Sequence, residues 1–279
     1  MAKRKSSSSS SGSLRSRTRE RREERQKQKQ RQQQIGIIIG VVVAAIVVAG
    51  LLIVANQPAS APIPEELIAR YENIPQTQTD DGYFRLGRPD APVRVEEFSS
   101  FSCPGCEQFF SASMDDIIEL VRTGAISFTF VPQIGGSLVN AEGAARAAIC
   151  AGEQGLFFEY HDMLFDWHSR FGNQAFSQNR LRSGAENIGL DVDEFNSCTT
   201  SGRSEDIVQS GINEGNARGI PGTPATFVNG SPVDSTFTAI NSATQNELRE
   251  IGATLNPIPA PGDDAEVTPD TEVEVTPDE

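Results

Sequence analysis

The sequence predicts an α/β domain that carries an inserted helical block and is preceded by a single membrane-spanning helix. Three observations support this fold class. An unbroken apolar run covers residues 35–54. Strand-like segments alternate with segments of helical periodicity farther along the chain. A stretch with little strand signal, residues 138–218, separates the second predicted strand from the third.

The apolar run, residues 35–54, is twenty uncharged residues long, which is the length that an α-helix needs to cross a bilayer. A buried core helix would be shorter and would show a polar face. A cleaved signal peptide is the stronger alternative, because small residues follow at 59–61, but the run is longer than a typical signal core. The Lys/Arg excess ahead of the run places residues 1–34 in the cytoplasm. We therefore expect an uncleaved single-pass anchor in the cell membrane, with everything after residue 55 extracytoplasmic.

Both ends of the chain have compositions typical of disordered segments. Residues 1–34 hold twelve Lys/Arg and three Glu, whereas residues 256–279 hold eight Asp/Glu and no basic residue. Neither segment carries enough large apolar side chains to offset the entropy of an ordered chain. Between them, residues 55–255 have a net charge of −15, which argues against binding to nucleic acid. The basic N-terminus is better explained by the adjoining membrane span.

The extracytoplasmic part is predicted to begin with a proline-containing linker, residues 55–82. Its folded domain then runs strand, helix, strand, helical block, strand, helix. The third strand closes on an Asn-Gly turn, which favours a hairpin. The predicted bounds, in that order, are 93–98, 103–124, 126–131, 138–218, 223–230 and 239–255.

Two of the four cysteines, Cys103 and Cys106, lie in the stretch S-S-F-S-C-P-G-C-E-Q-F-F. A Cys-x-x-Cys pair can be half of a zinc site, a structural disulfide or a redox centre. A zinc site of this type usually needs a second Cys-x-x-Cys or a histidine pair at ligand spacing, and the sequence has neither. Its two histidines, His161 and His168, both lie in the helical block. A local disulfide closes a very short loop and stabilises little. In an oxidising compartment, a redox centre is therefore the favoured interpretation.

The chemistry of a redox centre fits the predicted start of a helix at Cys103. Unpaired N–H groups and the helix dipole stabilise a thiolate there, and the thiolate is the attacking species in disulfide exchange. Pro104 suits the first turn, where a missing N–H has no effect. Cys106 lies one turn further in, where it is more buried and can resolve a mixed disulfide. Cys150 and Cys198 stand alone in the helical block, and spacing does not decide how they pair.

Three segments resemble, in the same order, the DsbA-like thiol–disulfide oxidoreductases, and in particular their membrane-anchored extracytoplasmic members. The segments are G-R-P-D-A-P-V-R-V-E-E-F-S-S-F-S-C-P-G-C-E-Q-F, A-A-I-C-A-G-E-Q-G-L-F-F-E-Y-H-D-M-L-F and G-I-P-G-T-P-A-T-F-V-N-G. They correspond to the opening of the family's domain, its inserted helical part and its second active-site loop. The resemblance covers roughly residues 83–255. It implies a thioredoxin fold with an inserted α-helical domain.

The resemblance also implies roles for single residues. Cys103 would be the nucleophile and Cys106 the resolving thiol. Glu97 would be a buried carboxylate that accepts and returns the proton of Cys106, although an exposed acid beside Glu96 is the alternative.

A substrate-binding loop is implied around Pro224, which matches a proline that is cis in this fold; an ordinary Thr-Pro turn is the alternative. Thr223 would then present its backbone to an extended substrate segment, with Pro104 and Gly105 facing it across the active site. The Pro-Gly pair between the cysteines departs from the Pro-His of the most oxidising members. It therefore points to a less extreme oxidant.

For the remaining singled-out residues the expectations are structural. The family resemblance implies a disulfide between Cys150 and Cys198, with two buried inert thiols as the alternative. His161 is expected to be a packed core residue, and Trp167 is expected to pack in the helical block, with a place at the rim of the substrate groove as the alternative.

The function implied by the resemblance is donation of the Cys103–Cys106 disulfide to exported, cysteine-containing proteins. We expect a monomer with no cofactor and no metal, reoxidised by a membrane partner of the DsbB or VKOR type. A thiol reductase or isomerase of the same fold is one alternative. A non-catalytic, membrane-anchored binding or chaperone module is the other.

Overall fold

The computed structural model describes residues 11–55, 59–64 and 67–258. It divides the chain into two units, residues 1–57 and 58–279, which we treat separately. Most of the predicted acidic tail, from residue 259 onward, lies outside the described residues, as do residues 1–10 of the basic segment.

The first unit contains one long helix, α1 (Ser11–Ala55). Its segment Lys29–Leu51 is long and apolar enough to span a membrane, by length and composition. Residues 11–34, for which composition predicts disorder, continue this helix instead. The physical reason is that Arg, Lys, Gln and Glu are strong helix formers, and the apolar helix that follows supplies the nucleus that a short isolated segment lacks.

The second unit is built on a six-stranded mixed sheet with the order β1-β2-β4-β3-β5-β6. The central strands β3 and β4 are parallel, and every other neighbouring pair in this sheet is antiparallel. All seven residues of β4 are buried, as expected for a strand covered on both faces. The strands are β1 Gln76–Gln78, β2 Phe84–Leu86, β3 Val93–Ser99, β4 Ile126–Pro132, β5 Ala225–Val228 and β6 Ser231–Val233.

Helices cover this sheet and form the insertion between β4 and β5. The helix α3 crosses from β3 to β4, five helices α4 to α8 follow β4, and α9 ends the described fold. The order confirms the predicted thioredoxin fold with a helical insertion. The helices are α2 Leu67–Tyr71, α3 Pro104–Arg122, α4 Ala141–Glu153, α5 Phe157–Phe171, α6 Gln178–Asn187, α7 Val192–Thr199, α8 Gly202–Arg218 and α9 Phe237–Ile251.

An aromatic cluster joins the insertion to the sheet. Phe130 of β4 and Phe101, just after β3, stack at 4.9 Å between ring centroids. His161 of α5 makes edge contacts with both rings and is 1% exposed. Its Nδ1 lies 2.9 Å from Asp162 Oδ1, and burial lowers its pKa. His161 is therefore a packed core residue, as expected.

The segment predicted as a linker, residues 55–82, is largely part of the folded unit. Trp167 is buried and donates from Nε1 to the carbonyl of Pro62 at 2.9 Å, and Asn187 Nδ2 donates to the carbonyl of Ala61 at 2.8 Å. Farther along, Tyr71 is buried and donates to Asp162 Oδ1 at 2.8 Å. Prolines keep this segment extended, but extended chain can still dock when buried side chains and long-range hydrogen bonds hold it.

Cys150 of α4 and Cys198 of α7 form a disulfide across the insertion, with a Cα–Cα distance of 5.7 Å. The bond closes a loop with a sequence separation of 48 residues. Loop-closure entropy for that length stabilises the folded protein by about 4 kcal/mol.

Replacing both Cys150 and Cys198 with alanine is therefore expected to lower the free energy of unfolding by about 4 kcal/mol. Urea unfolding of the full chain, followed by circular dichroism, measures this loss. The control is the wild type with all disulfides reduced, which should unfold close to the double variant. Equal stability of the oxidised wild type and the double variant would contradict the assigned contribution.

Candidate active site

The candidate active site lies where β3 gives way to α3. Cys103 is the N-cap of α3, and Pro104 occupies its first turn. The Cys103 carbonyl accepts hydrogen bonds from the backbone N–H groups of Cys106 and Glu107, both at 3.1 Å. The Cys103 side chain therefore sits at the helix N-terminus, where unpaired N–H groups and the helix dipole favour an anion.

The two sulfurs of this pair differ in their surroundings. Cys103 is 8% exposed, and its Sγ donates to the Thr223 carbonyl at 3.2 Å. Cys106 is fully buried, and its Sγ accepts from the backbone N–H of Ser100 at 3.5 Å. Both are free thiols in this structure. Cys103 is thus the more accessible sulfur, although most of its surface is covered.

The loop that covers Cys103 contains a cis peptide bond between Thr223 and Pro224. It packs closely on the first turn of α3. A Cβ atom added at Gly105 would lie 3.1 Å from Pro224 Cδ, 3.6 Å from the Thr223 carbonyl oxygen and 3.7 Å from Cys103 Sγ. Glycine at position 105 therefore leaves room for the loop to reach the sulfur.

Glu97 lies in the middle of β3, between Phe130 of β4 and Thr226 of β5. It is 2% exposed, and its Oε1 has no hydrogen-bond partner within the described part of the chain. Burial raises the pKa of Glu97 to about 8. Its neighbour Glu96 points to the other face of the sheet and forms a bidentate ion pair with Arg218 at 2.9 and 3.1 Å.

Cys106 is electrostatically linked to Glu97. Burial raises the pKa of the Cys106 thiol, and the negative charge of Glu97 raises it further. Two buried groups that both resist ionisation therefore share one site beneath Cys103. Such a pair can pass a proton between them when one of them is forced to ionise.

Contacts with the insertion fix the loop ahead of Cys103, and the sequence analysis did not identify them. The Ser102 hydroxyl donates to the Leu138 carbonyl at 3.0 Å and accepts from the Leu138 N–H at 2.9 Å. His168 Nδ1 donates to the Phe101 carbonyl at 2.8 Å. These partners are more than thirty residues away in sequence, and no local pattern indicates them.

A groove of about 590 Å³ opens beside Gly105 and Pro224. One wall is a single face of α3. The opposite wall is Pro224 together with residues 235–238, at the start of α9. The residues of the α3 wall are Gly105, Gln108, Phe109, Ala112, Ser113 and Asp116.

No group of three or more His, Cys, Asp or Glu is placed to hold a metal ion in the described ranges. The reactive groups that the described site brings together are the two thiols of Cys103 and Cys106 and the carboxyl group of Glu97, with the Thr223 carbonyl against Cys103.

The fold and the site together define a thioredoxin-fold protein with a Cys-x-x-Cys centre at a helix N-terminus. A sequence model of the thioredoxin family matches residues 79–246, more than half of the chain. The chain belongs to this family. Its sequence is also similar to curated proteins named for disulfide bond formation.

Individual comparisons agree with this assignment. Disulfide bond formation protein D of Bacillus subtilis is 25% identical over 181 residues, which cover 59% of this chain and 73% of that protein. The crystal structure of oxidised BdbD from Bacillus subtilis superposes with a TM-score of 0.56 at 21% identity and covers 64% of this chain and all of BdbD. That structural match supports the fold.

A third relative is the Na(+)/H(+) antiporter NhaA 3 of Salinispora tropica. It is 31% identical over 155 residues, or 52% of this chain. The matched part makes up only 21% of the antiporter, so this chain spans about a fifth of that relative's length.

Proposed function

We propose that this protein is a membrane-anchored thiol–disulfide oxidoreductase that introduces disulfide bonds into exported proteins. The observation that carries the proposal is the pairing of a partly covered Cys103, the more accessible of the two sulfurs, with a fully buried Cys106 at the start of α3. An accessible sulfur can form a disulfide with a large partner, whereas a covered one reacts only within the protein. The names of the relatives that form disulfide bonds support the same reaction class.

The first chemical step is attack by a substrate thiolate on Cys103 Sγ of the oxidised protein. A substrate–Cys103 disulfide forms, the Cys103–Cys106 bond breaks, and Cys106 leaves with the electron pair. A second substrate thiolate then attacks the substrate sulfur of the mixed disulfide. The substrate leaves with a new disulfide, two electrons remain on the protein, and Cys103 leaves as a thiolate at the helix N-terminus that stabilises it.

Glu97 supplies the proton in the first step. A Cys106 thiolate is unstable in its buried site, because burial and the Glu97 charge both raise its pKa. Glu97 is largely protonated near pH 7, since its pKa is about 8, and can hand its proton to Cys106. In the return step, when the protein is reoxidised, the Glu97 carboxylate takes the proton back.

The loop around Pro224 and the first turn of α3 bind the substrate segment next to its cysteine. Thr223 lies against Cys103, so its backbone can hydrogen-bond an extended substrate chain. Pro104 and Gly105 form the facing surface, where glycine at position 105 leaves room beside the Cys103 sulfur.

The apolar segment of α1 anchors the protein in the cell membrane, with residues before it in the cytoplasm and the catalytic domain outside. The length of that segment and the basic residues ahead of it support this topology. A reduced protein must be reoxidised before it can oxidise another substrate. A membrane oxidase of the DsbB or VKOR type would take the two electrons from the Cys103–Cys106 thiols of a monomeric protein.

Oxidative folding of a reduced secreted protein tests the proposal. The full chain, oxidised and held in detergent micelles, is mixed with an excess of reduced, unfolded substrate whose activity requires its disulfides. We expect the loss of substrate thiols to match the gain of two thiols per protein molecule, with recovery of substrate activity. Loss of substrate thiols at the rate of a protein-free control would overturn the proposal.

A further inference from the structure

The groove beside the active site ends at an acidic residue whose charge is not compensated. Asp116 is exposed at the end of the groove farthest from Cys103, and within residues 67–258 it has no hydrogen-bond or ion-pair partner. Its neighbour Asp115 lies off the groove and pairs with Arg70 at 2.7 Å. Of these two adjacent acids, only the one in the groove presents an unpaired charge.

The groove has the chemistry of a peptide-binding surface. Phe109, which is 4% exposed, and Phe237, which is partly exposed, both line it, while Gln108 and Ser235 supply hydrogen-bonding groups. The volume of about 590 Å³ is enough for several residues of an extended chain.

The length of the groove sets which substrate position meets Asp116. The α3 wall runs from Gly105, beside Cys103, to Asp116, and its residues recur at spacings of three and four along one helix face. Eleven residues of α-helix extend about 17 Å. About five residues of extended chain cover the same distance, at roughly 3.3 Å per residue.

We propose that Asp116 is a specificity residue that selects substrate proteins with a Lys or Arg about five positions from the reacting cysteine. The inference rests on the proposed function and names the substrate class of the same site. The basic side chain would lie at the solvent-exposed end of the groove, against the Asp116 carboxylate. The substrate residues between it and the cysteine would lie along the groove, against the partly exposed ring of Phe237.

The size of the effect follows from the exposure of Asp116. Ion pairs in water-exposed positions change rate or affinity by about two- to fivefold, and salt screens them strongly at high ionic strength. We expect a preference of that size at low salt, which disappears at about 1 M salt, where the screening length is only about 3 Å.

The experiment uses the oxidised full chain in detergent micelles and a set of short peptides. Each peptide has one cysteine and one lysine, or one glutamate in a matched second set, and the charged residue moves one position at a time away from the cysteine on either side. The second-order rate constant for loss of peptide thiol is measured after acid quenching. A lysine-free peptide gives the basal rate, which also reports whether a variant is folded and active.

The variants are Asp116→Asn and Asp116→Lys, with Asp115→Asn as the matched control for removal of one acidic charge from the same helix. We expect the rate constant of the wild type to be highest when lysine is about five positions from the cysteine on one side. At that position it should exceed the rate constant of the lysine-free peptide by about two- to fivefold. Asp116→Asn should remove this maximum and Asp116→Lys should move it to the matching glutamate peptide. Asp115→Asn should keep it.

Three results would overturn the inference. One is a preference for lysine that is equal at all positions, which would reflect only the net charge of the domain. Another is a maximum that survives Asp116→Asn. The third is a rate constant for Asp116→Lys that is lower than that of the wild type by the same factor with every peptide. That result is expected if the groove binds the acidic segment after residue 258 instead of a substrate. Absence of exchange with any peptide, the lysine-free one included, would overturn the proposed function, and the specificity with it.

Discussion

Replacing Cys103 with serine is expected to lower the rate of substrate oxidation by roughly a thousandfold or more, because loss of a covalent nucleophile removes the reaction path itself. A serine hydroxyl cannot form the substrate–Cys103 disulfide. The substitution changes one atom at the start of α3 and leaves the Cys150–Cys198 disulfide in place. Its effect on stability should therefore be small. The measurement is the rate at which a reduced substrate loses its thiols, with urea unfolding as the check on folding.

The companion variant, Cys106→Ser, separates the roles of the two sulfurs. It keeps the Cys103 thiolate, which can attack an activated substrate disulfide and form a mixed disulfide. No second thiol is present in the site to displace the substrate, so the mixed disulfide should persist and appear as an adduct on a non-reducing gel. If Cys106→Ser formed no adduct and Cys103→Ser did, the assigned roles would be reversed.

Replacing Glu97 with glutamine is expected to stabilise the reduced protein at about pH 9 by roughly 3–5 kcal/mol. An unfolded carboxyl group titrates near its ordinary value of 4.5, whereas burial raises the pKa of Glu97 in the folded protein to about 8. Between these values the folded protein binds a proton that the unfolded chain has lost. The stability of the wild type therefore falls as pH rises from about 4.5 to about 8 and levels off above that. A glutamine side chain carries no charge, so the variant lacks this loss.

Urea unfolding of the wild type and Glu97→Gln at about pH 5, 7 and 9 measures the difference, with disulfides reduced in both. The two proteins should be close in stability at pH 5 and diverge as pH rises. Glu96→Gln is the matched control, because it removes a carboxylate from the adjacent position that is paired with Arg218 on the other face. It should show no gain at pH 9. If the free energies of unfolding of the wild type and Glu97→Gln changed in parallel with pH, the result would contradict the burial of an ionisable Glu97.

The same substitution should also slow the exchange reaction. Without the Glu97 proton, Cys106 must leave as a thiolate in a buried site or wait for water to reach it. We expect the step to slow by about a hundredfold at pH 7, the lower end of the usual range for general acid–base catalysis. Stopped-flow measurement of mixed-disulfide formation gives the rate, and Glu96→Gln again serves as the control. An unchanged rate would remove Glu97 from the proton path.

Much of this fold can be predicted because its central elements carry strong local patterns. I-S-F-T-F-V becomes the buried strand β4, and the Asn229–Gly230 pair forms the turn of the β5–β6 hairpin with positive φ angles of 45° and 82°. The burial of Glu97 can also be predicted from alternation, because Val93, Val95 and Glu97 share one face of β3.

The parts that could not be predicted depend on distant partners. β1 is Q-T-Q, a three-residue strand with no apolar alternation, and it is ordered by pairing with β2. The segment before it has the composition of a linker but docks through Trp167 and Asn187. The groove is divided between α3 and residues 235–238, more than a hundred positions apart, so only one of its walls has a sequence signature.

The central claim, that the Cys103–Cys106 pair oxidises other proteins, is tested most directly by its reduction potential. The full chain is equilibrated in glutathione buffers of known ratio, trapped by acid, and scored for the two free thiols. Known members of the fold extend from about −270 mV for thioredoxin, a reductant, to about −120 mV for DsbA, a strong oxidant. We expect the Pro-Gly pair between the cysteines to make the protein a less extreme oxidant than DsbA, so the account predicts a value between about −180 and −120 mV. A value near −270 mV would contradict it and would identify the protein as a thiol reductase.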